Sequence, residues 1–215
     1  MEFGSQIIDI FLHLDHHLEQ IITAYGSWTY AILFLIIFAE TGLVVAPFLP
    51  GDSLLFAVGA FASRGALDPV WLCLLLSLAA ILGDTTNYWI GKAIGPRAFH
   101  NPNSRILRKE YLDRTHRFFE RYGGRTIIIA RFVPIVRTFA PFVAGVGTMS
   151  YIRFMSFNVF GGIGWVVILV VGGYLFGNIP TVRDHFSLVA LGIIILSTLP
   201  MAIEWIRHRR AASRR

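Results

Sequence analysis

The chain has 215 residues, of which 55% are hydrophobic and only 15% charged, and its formal net charge is +6; mean hydropathy is +0.61. Soluble domains carry about 25% charged residues, so this composition excludes a disordered chain, a nucleic-acid arm and most soluble enzymes, and it implies an integral membrane protein. The one cysteine, Cys73, excludes an internal disulfide, and the length suits one helical bundle, a single membrane domain over 1–215.

The first 25 residues contain no Lys or Arg and carry Glu2, Asp9, Asp15 and Glu19. A cleavable secretory signal opens with positive charge, so none is expected. Ile7, Ile8, Phe11, Leu14, Leu18, Ile21 and Ile22 fall on one stripe at helical spacing. They predict an amphipathic interfacial helix over 5–22, within an N-terminal segment 1–27. His13 and His17 stand four apart, a metal-ligand spacing, but no acidic or thiol partner completes a site. The pair reads as a wetted helix face, and neither a metal nor a cofactor is expected.

Four apolar blocks follow: Tyr30–Ala62, Trp71–Gly95, Thr126–Gly177 and Phe186–Ile206. A bilayer core needs about 20 helical residues. The first block as one helix would run about 50 Å, and Pro47, Pro50 and Gly51 interrupt it. The third is longer still, with Pro134, Pro141 and Gly145 as its expected breaks. Each long block therefore reads as a spanning helix joined to a broken, re-entrant hairpin, one in the half 28–95 and one in the half 126–206. Ala46-Pro47-Phe48-Leu49-Pro50-Gly51 and Ala140-Pro141-Phe142-Val143-Ala144-Gly145 match at a constant offset, as do Phe38 and Phe132. Paired Gly/Pro-interrupted segments in two halves point to a transporter-type internal repeat; the plainer alternative is two unrelated kinked helices. Gly91 with Gly95, and Gly173 with Gly177, are small-residue pairs that suit close helix packing within the chain or in a homodimer.

The segment 96–125 holds Arg97, Arg105, Arg108, Lys109, Arg114, Arg117, Arg121 and Arg125, and the tail 207–215 holds Arg207, Arg209, Arg210, Arg214 and Arg215. The loops near 63–70 and 178–185 hold only Arg64 and Arg183. Basic loops stay in the cytoplasm, so the 96–125 segment and the tail are expected inside. The two hairpins then enter from opposite faces as an inverted pair. Residues 104–122, with Ser104 as N-cap, read as a second interfacial helix. It either attracts anionic lipid or serves as ordinary positive-inside anchoring. The expected fold is thus an all-α polytopic membrane protein: an inverted pair of re-entrant hairpins, about four full transmembrane helices and interfacial amphipathic helices.

Glu40, Asp52, Arg131 and Arg137 stand in apolar surroundings at hairpin depth. Each costs roughly 2.5–3.5 kcal/mol at mid-helix if unpaired, so they must face a cavity or one another. The functional reading is a polar chamber near the midplane; the bland one is a structural ion-pair network. Arg forks bidentately onto phosphate oxygens, so Arg131 and Arg137 are candidates to hold an anionic headgroup. Glu40 and Asp52 are candidates to carry protons or balance the arginines. Asp84 is a third acid, a relay or a helix-pairing group. Asn158 is a polar gate or, more plainly, an interhelical hydrogen bond.

Glu40-Thr41-Gly42 followed by Pro47-Phe48-Leu49-Pro50-Gly51-Asp52 resembles the first signature of the DedA family of bacterial inner-membrane proteins. That family shares the VTT, or SNARE-associated, domain with eukaryotic lipid scramblases. Gly124, Arg131-Phe132-Val133-Pro134-Ile135-Val136-Arg137, Pro141, Ala144-Gly145, Met149, Phe154, Asn158, Gly161 and Trp165 resemble the second signature. The resemblance covers nearly the whole chain. It implies two facing re-entrant hairpins in the inner membrane. It also implies lipid transport: flipping of undecaprenyl (polyprenyl) phosphate, or phospholipid scrambling, dependent on the proton-motive force and supporting envelope integrity. The family's functional acids and arginines correspond to Glu40, Asp52, Arg131 and Arg137, with membrane lipids bearing phosphate, and protons, as the implied partners.

The competing function is a small-ion or proton antiporter using the same carboxylate–arginine chamber, which ranks second because arginine is a poor cation ligand. An enzyme is not expected: no histidine lies in an apolar block, and no acidic DxxxD cluster or GxSxG is present.

Overall fold

The computed structural model describes residues 14–43, 51–99, 125–131, 134–147 and 149–180, with single helical positions at 182, 189 and 192. Regular structure among them is entirely helical: α1 (Leu14–Tyr25), α2 (Thr29–Gly42), α3 (Gly51–Ser63), α4 (Pro69–Phe99), α5 (Arg125–Ala130), α6 (Pro134–Val146) and α7 (Tyr151–Phe176). Three apolar stretches of 26 residues reach spanning length: His17–Gly42, Pro69–Ile94 and Tyr151–Phe176. They make the chain a polytopic helical membrane protein by length and composition. The expected fourth span at 186–206, the interfacial helix at 104–122, the basic tail, and Pro47 and Pro50 lie outside the described residues.

The N-terminal helix differs from its expected end at residue 22. It continues to Tyr25 and passes through one 3-10 turn, Gly26–Trp28, straight into α2. The spacing of apolar residues carries no stop signal there, and Gly26 takes the turn at φ 49°.

α3 and α6 are 13 residues each, about 20 Å long and too short to cross a bilayer core of about 30 Å. α3 is buried around almost its whole circumference, with Asp52 in its first turn half-buried. Gly51 heads α3 and Pro134 heads α6; Pro is pre-set for a first helical position, where its missing N–H is not needed. Pro141 and Gly145, however, are not breaks. Both lie inside α6, which runs on to Val146. The helix ends fall instead at Ala130 and Val146, and a proline one turn or more into a helix is tolerated in a membrane-buried setting. The two Ala-Pro-Phe matches are therefore not equivalent: Gly51 begins α3, whereas Gly145 almost ends α6. What repeats is the order of elements, a 13-residue helix, a tight turn and a long apolar helix.

The α3–α4 turn follows from its residues. Gly65 has φ 78°, a left-handed value that suits glycine after a helix end. Asp68 then caps α4, its carboxylate accepting from the N–H groups of Val70 (2.8 Å) and Trp71 (3.0 Å), with Pro69 at the first helical position. The Asp68 N–H itself donates to the Tyr30 hydroxyl at 2.7 Å.

The helices gather into two compact units. One holds α1, α2 as far as Leu33, α3, α4 as far as Leu75, and α7 from Val166. Here α3 and α7 meet backbone to backbone. A Cβ on Gly173 would stand 2.0 Å from the Phe56 carbonyl oxygen, and one on Gly59 2.1 Å from that of Val170. Gly177 abuts Ala60 in the same seam, so the Gly173/Gly177 pair serves packing within the chain.

The other unit holds α2 from Phe34, α4 from Leu76, α5, α6 and α7 as far as Trp165. Its core is Tyr88, Ile127, Ala130, Ala140, Ala144 and Phe154, with Tyr88 stacked on Phe154 at 4.6 Å between centroids. Gly145 lies against the Tyr88 carbonyl, and Gly91 against that of Phe142. The bare positions on α4 and α6 thus bring these helices within backbone reach, and α4 presents the face that carries Asp84, Asn87 and Tyr88.

Candidate functional site

The second unit buries the charges. Glu40 is 0% exposed, Asp84 3%, Arg131 4% and Arg137 8%. They meet as two ion pairs. Arg137, in the first turn of α6, donates to Glu40 near the end of α2. Arg131, at the break after α5, donates to Asp84 of α4. A carboxylate and a guanidinium in contact offset one another's loss of water, which neither could bear alone in apolar surroundings.

Arg131 is held on a second side. The same nitrogen that reaches Asp84 also donates to the Asn158 side-chain oxygen. Asn158, on α7, is oriented in turn by its own amide, which donates to the Ile81 carbonyl at 3.1 Å and the Thr85 hydroxyl at 3.4 Å. The α7 backbone is bare where the arginine passes. A Cβ on Gly161 would lie 3.1 Å from Arg131 Cδ and 3.2 Å from Nε, and one on Gly162 3.4 Å from a terminal nitrogen. Two consecutive glycines thereby leave a shallow slot for a flat cation. Arg131 Nε has no hydrogen-bond partner among the described residues.

Arg137 is placed differently. Its guanidinium lies over the Trp165 ring, 4.9 Å from the centroid, where the negative ring face attracts a cation. Glu40 sits where α2 and α4 touch: a Cβ on Gly83 would fall 1.9 Å from Thr41 Oγ1 and 2.9 Å from the Phe38 carbonyl oxygen. Gly83 is thus as much a part of the site as Asp84 beside it.

Of the residues singled out in the sequence, Glu40, Asp84, Arg131, Arg137 and Asn158 come together in this unit. Asp52 belongs to the other unit, in the first turn of α3, and the acid that meets Arg131 is Asp84. Asn158 makes the interhelical hydrogen bonds of the plainer reading. Three contributors were not legible as site residues: Trp165 beneath Arg137, Gly83, and Asn87, whose amide reaches the carbonyls of Thr41 and Thr138. The signal for Asn87 was its spacing, three residues after Asp84 and so on the same helix face.

A family model described as the VTT domain matches residues 49–175. The chain is 57% identical over 210 residues to Protein DedA of Escherichia coli (strain K12), covering 97% of this chain and 96% of that protein. It is 43% identical over 190 residues to an uncharacterized membrane protein of Mycobacterium tuberculosis (strain ATCC 25618 / H37Rv), covering 87% and 83%. It is 41% identical over 152 residues to inner membrane protein YqjA of Escherichia coli (strain K12), covering 70% and 69%. No solved structure matches the chain. With apolar helices of spanning length, a VTT match over more than half its residues and near-complete coverage by Protein DedA, the chain belongs to the DedA family of membrane proteins.

Proposed function

We propose that the protein is a lipid transporter of the inner membrane that moves phosphate-bearing lipid headgroups between leaflets. The observation that carries this reading is the pair of buried arginines, each held by a carboxylate. Guanidinium groups suit phosphate, which offers the same fork of oxygens as the carboxylates that now occupy them. A headgroup phosphate competes for Arg131 and Arg137. A proton taken up by Glu40 or Asp84 cancels the carboxylate's hold and frees the arginine for the phosphate; loss of that proton restores the ion pair and expels the headgroup. Asp52, in the first turn of α3, is in this reading a further proton-carrying acid. The lipid tail stays in the bilayer, so only the headgroup needs a polar route.

In this reading α3 and α6 are the re-entrant arms of an inverted pair, and alternating access rocks one arm against the other about a fixed site. The basic 96–125 segment and the tail lie on the cytoplasmic side. The cargo is undecaprenyl phosphate or a glycerophospholipid, and the site moves it without chemical change. Purified protein in phosphatidylcholine vesicles containing a fluorescent phosphatidic acid tests the reading. Headgroup translocation accelerated by an imposed pH gradient, and abolished by Arg137→Gln in a folded variant, is the expected result. Ion flux in vesicles without anionic lipid, with no lipid movement, would favour the antiporter instead.

A further inference from the structure

Asn87 has no part in the headgroup exchange described above, yet it is fully buried. Its amide Nδ2 donates to two main-chain carbonyls, that of Thr138 at 2.7 Å and that of Thr41 at 3.3 Å. Those residues directly follow Arg137 and Glu40, the two members of one ion pair. Thr41 is in the last turn of α2, where carbonyls find no N–H further along the helix. Thr138 lies inside α6, where a carbonyl oxygen has a second lone pair for a side-chain donor beside the helical one. In apolar surroundings an unmet carbonyl is costly, so the bond from the amide to the Thr41 carbonyl is firm. An amide nitrogen carries two hydrogens, enough for one carbonyl on each side.

We infer that Asn87 is a positioning residue: by fastening the carbonyls of Thr41 and Thr138 with one amide group, it sets how closely Glu40 and Arg137 approach. The clamp sits on α4, between the end of α2 and the first half of α6, and acts on the backbone rather than on either charge. Its consequence for transport rests on the proposed function; its effect on the ion pair does not.

The test uses the full chain with Asn87→Leu, which removes the donor at similar volume, and Asn87→Gln, which keeps a donor. Thermal melting of Glu40→Gln, Arg137→Gln and their double variant gives the coupling between the two residues in each background. Translocation of fluorescent phosphatidic acid in phosphatidylcholine vesicles gives KM and maximal rate. In the Asn87→Leu background most of the coupling disappears and KM rises about tenfold, with a smaller change in maximal rate; Asn87→Gln retains both in large part. Unchanged coupling with Asn87→Leu overturns the inference, and so do equal losses with Gln and Leu, which would mean packing alone. If Asn87→Leu does not fold, Asn87→Ala, which likewise has no donor, replaces it. Failure of both donor-less variants to fold also overturns the inference, because the amide would then serve the whole fold. Coupling that collapses in a protein moving no lipid even as wild type would reject the transport reading and keep this one.

Discussion

Glu40 and Arg137 are 97 positions apart in the chain and form an enclosed ion pair. Such a pair is a unit. Removing one partner leaves a buried charge and is expected to destabilise by about 3–5 kcal/mol, whereas removing both leaves none. Glu40→Gln alone should therefore lower the melting temperature more than Glu40→Gln with Arg137→Gln. Simple additivity of the two losses would show that the pair does not act as one.

Trp165 offers Arg137 a ring face at 4.9 Å. Trp165→Phe keeps a face and Trp165→Leu does not. The difference between them is expected to be about 2 kcal/mol of stability, because the contact is desolvated. Equal melting temperatures for the two variants would dismiss the ring as a cation partner.

The slot for Arg131 depends on two missing side chains. Gly161→Ala places its methyl 3.1 Å from the arginine Cδ and should cost about 1–3 kcal/mol by overpacking. Headgroup translocation should fall with it. A Gly161→Ala protein with wild-type melting and wild-type transport would remove the slot from the account.

The α3–α7 seam allows no relief at Gly59 and Gly173, because the atoms facing them are backbone. Gly173→Val should exceed about 3 kcal/mol or prevent folding, since even its Cβ would stand 2.0 Å from the Phe56 carbonyl oxygen. Gly172→Ala, with nothing within 4 Å, should stay within about 0.5 kcal/mol of wild type. Yield of monodisperse protein in detergent, together with melting temperature, separates the two.

Asp68 gives a check remote from the charges. Asp68→Ala removes the cap on α4 and should cost about 1 kcal/mol while leaving translocation as it was. A transport defect in a folded Asp68→Ala protein would mean that the α3–α4 turn takes part in the cycle.

The sequence made the membrane class legible because apolar runs of spanning length survive any detail of packing. It also singled out Glu40, Arg131 and Arg137, since a charge in such a run has to be accounted for wherever it goes. Which acid meets which arginine was not legible. Asp52 and Asp84 look alike along the chain, and only the folding of α4 against α5 and α7 brings Asp84 to Arg131. Pro141 misled for a related reason: a proline reports the loss of one N–H, not whether the helix around it closes on regardless, as α6 does to Val146. The Ala-Pro-Phe match misled because six residues carry composition without helical position. Gly83 was invisible because close approach is a property of two helices, and the sequence prints only one at a time.

The bare stretch of α7 at Gly161 and Gly162 bears on how the protein is to be dissected. A guanidinium resting flush on exposed main chain fills space as well as carrying charge. Truncating Arg131 to alanine therefore opens a void beside unshielded peptide groups, into which water or a counter-ion enters. Loss of activity in such a truncation reports that flooding together with the missing cation. Only a flat, uncharged replacement of similar size tells the two apart.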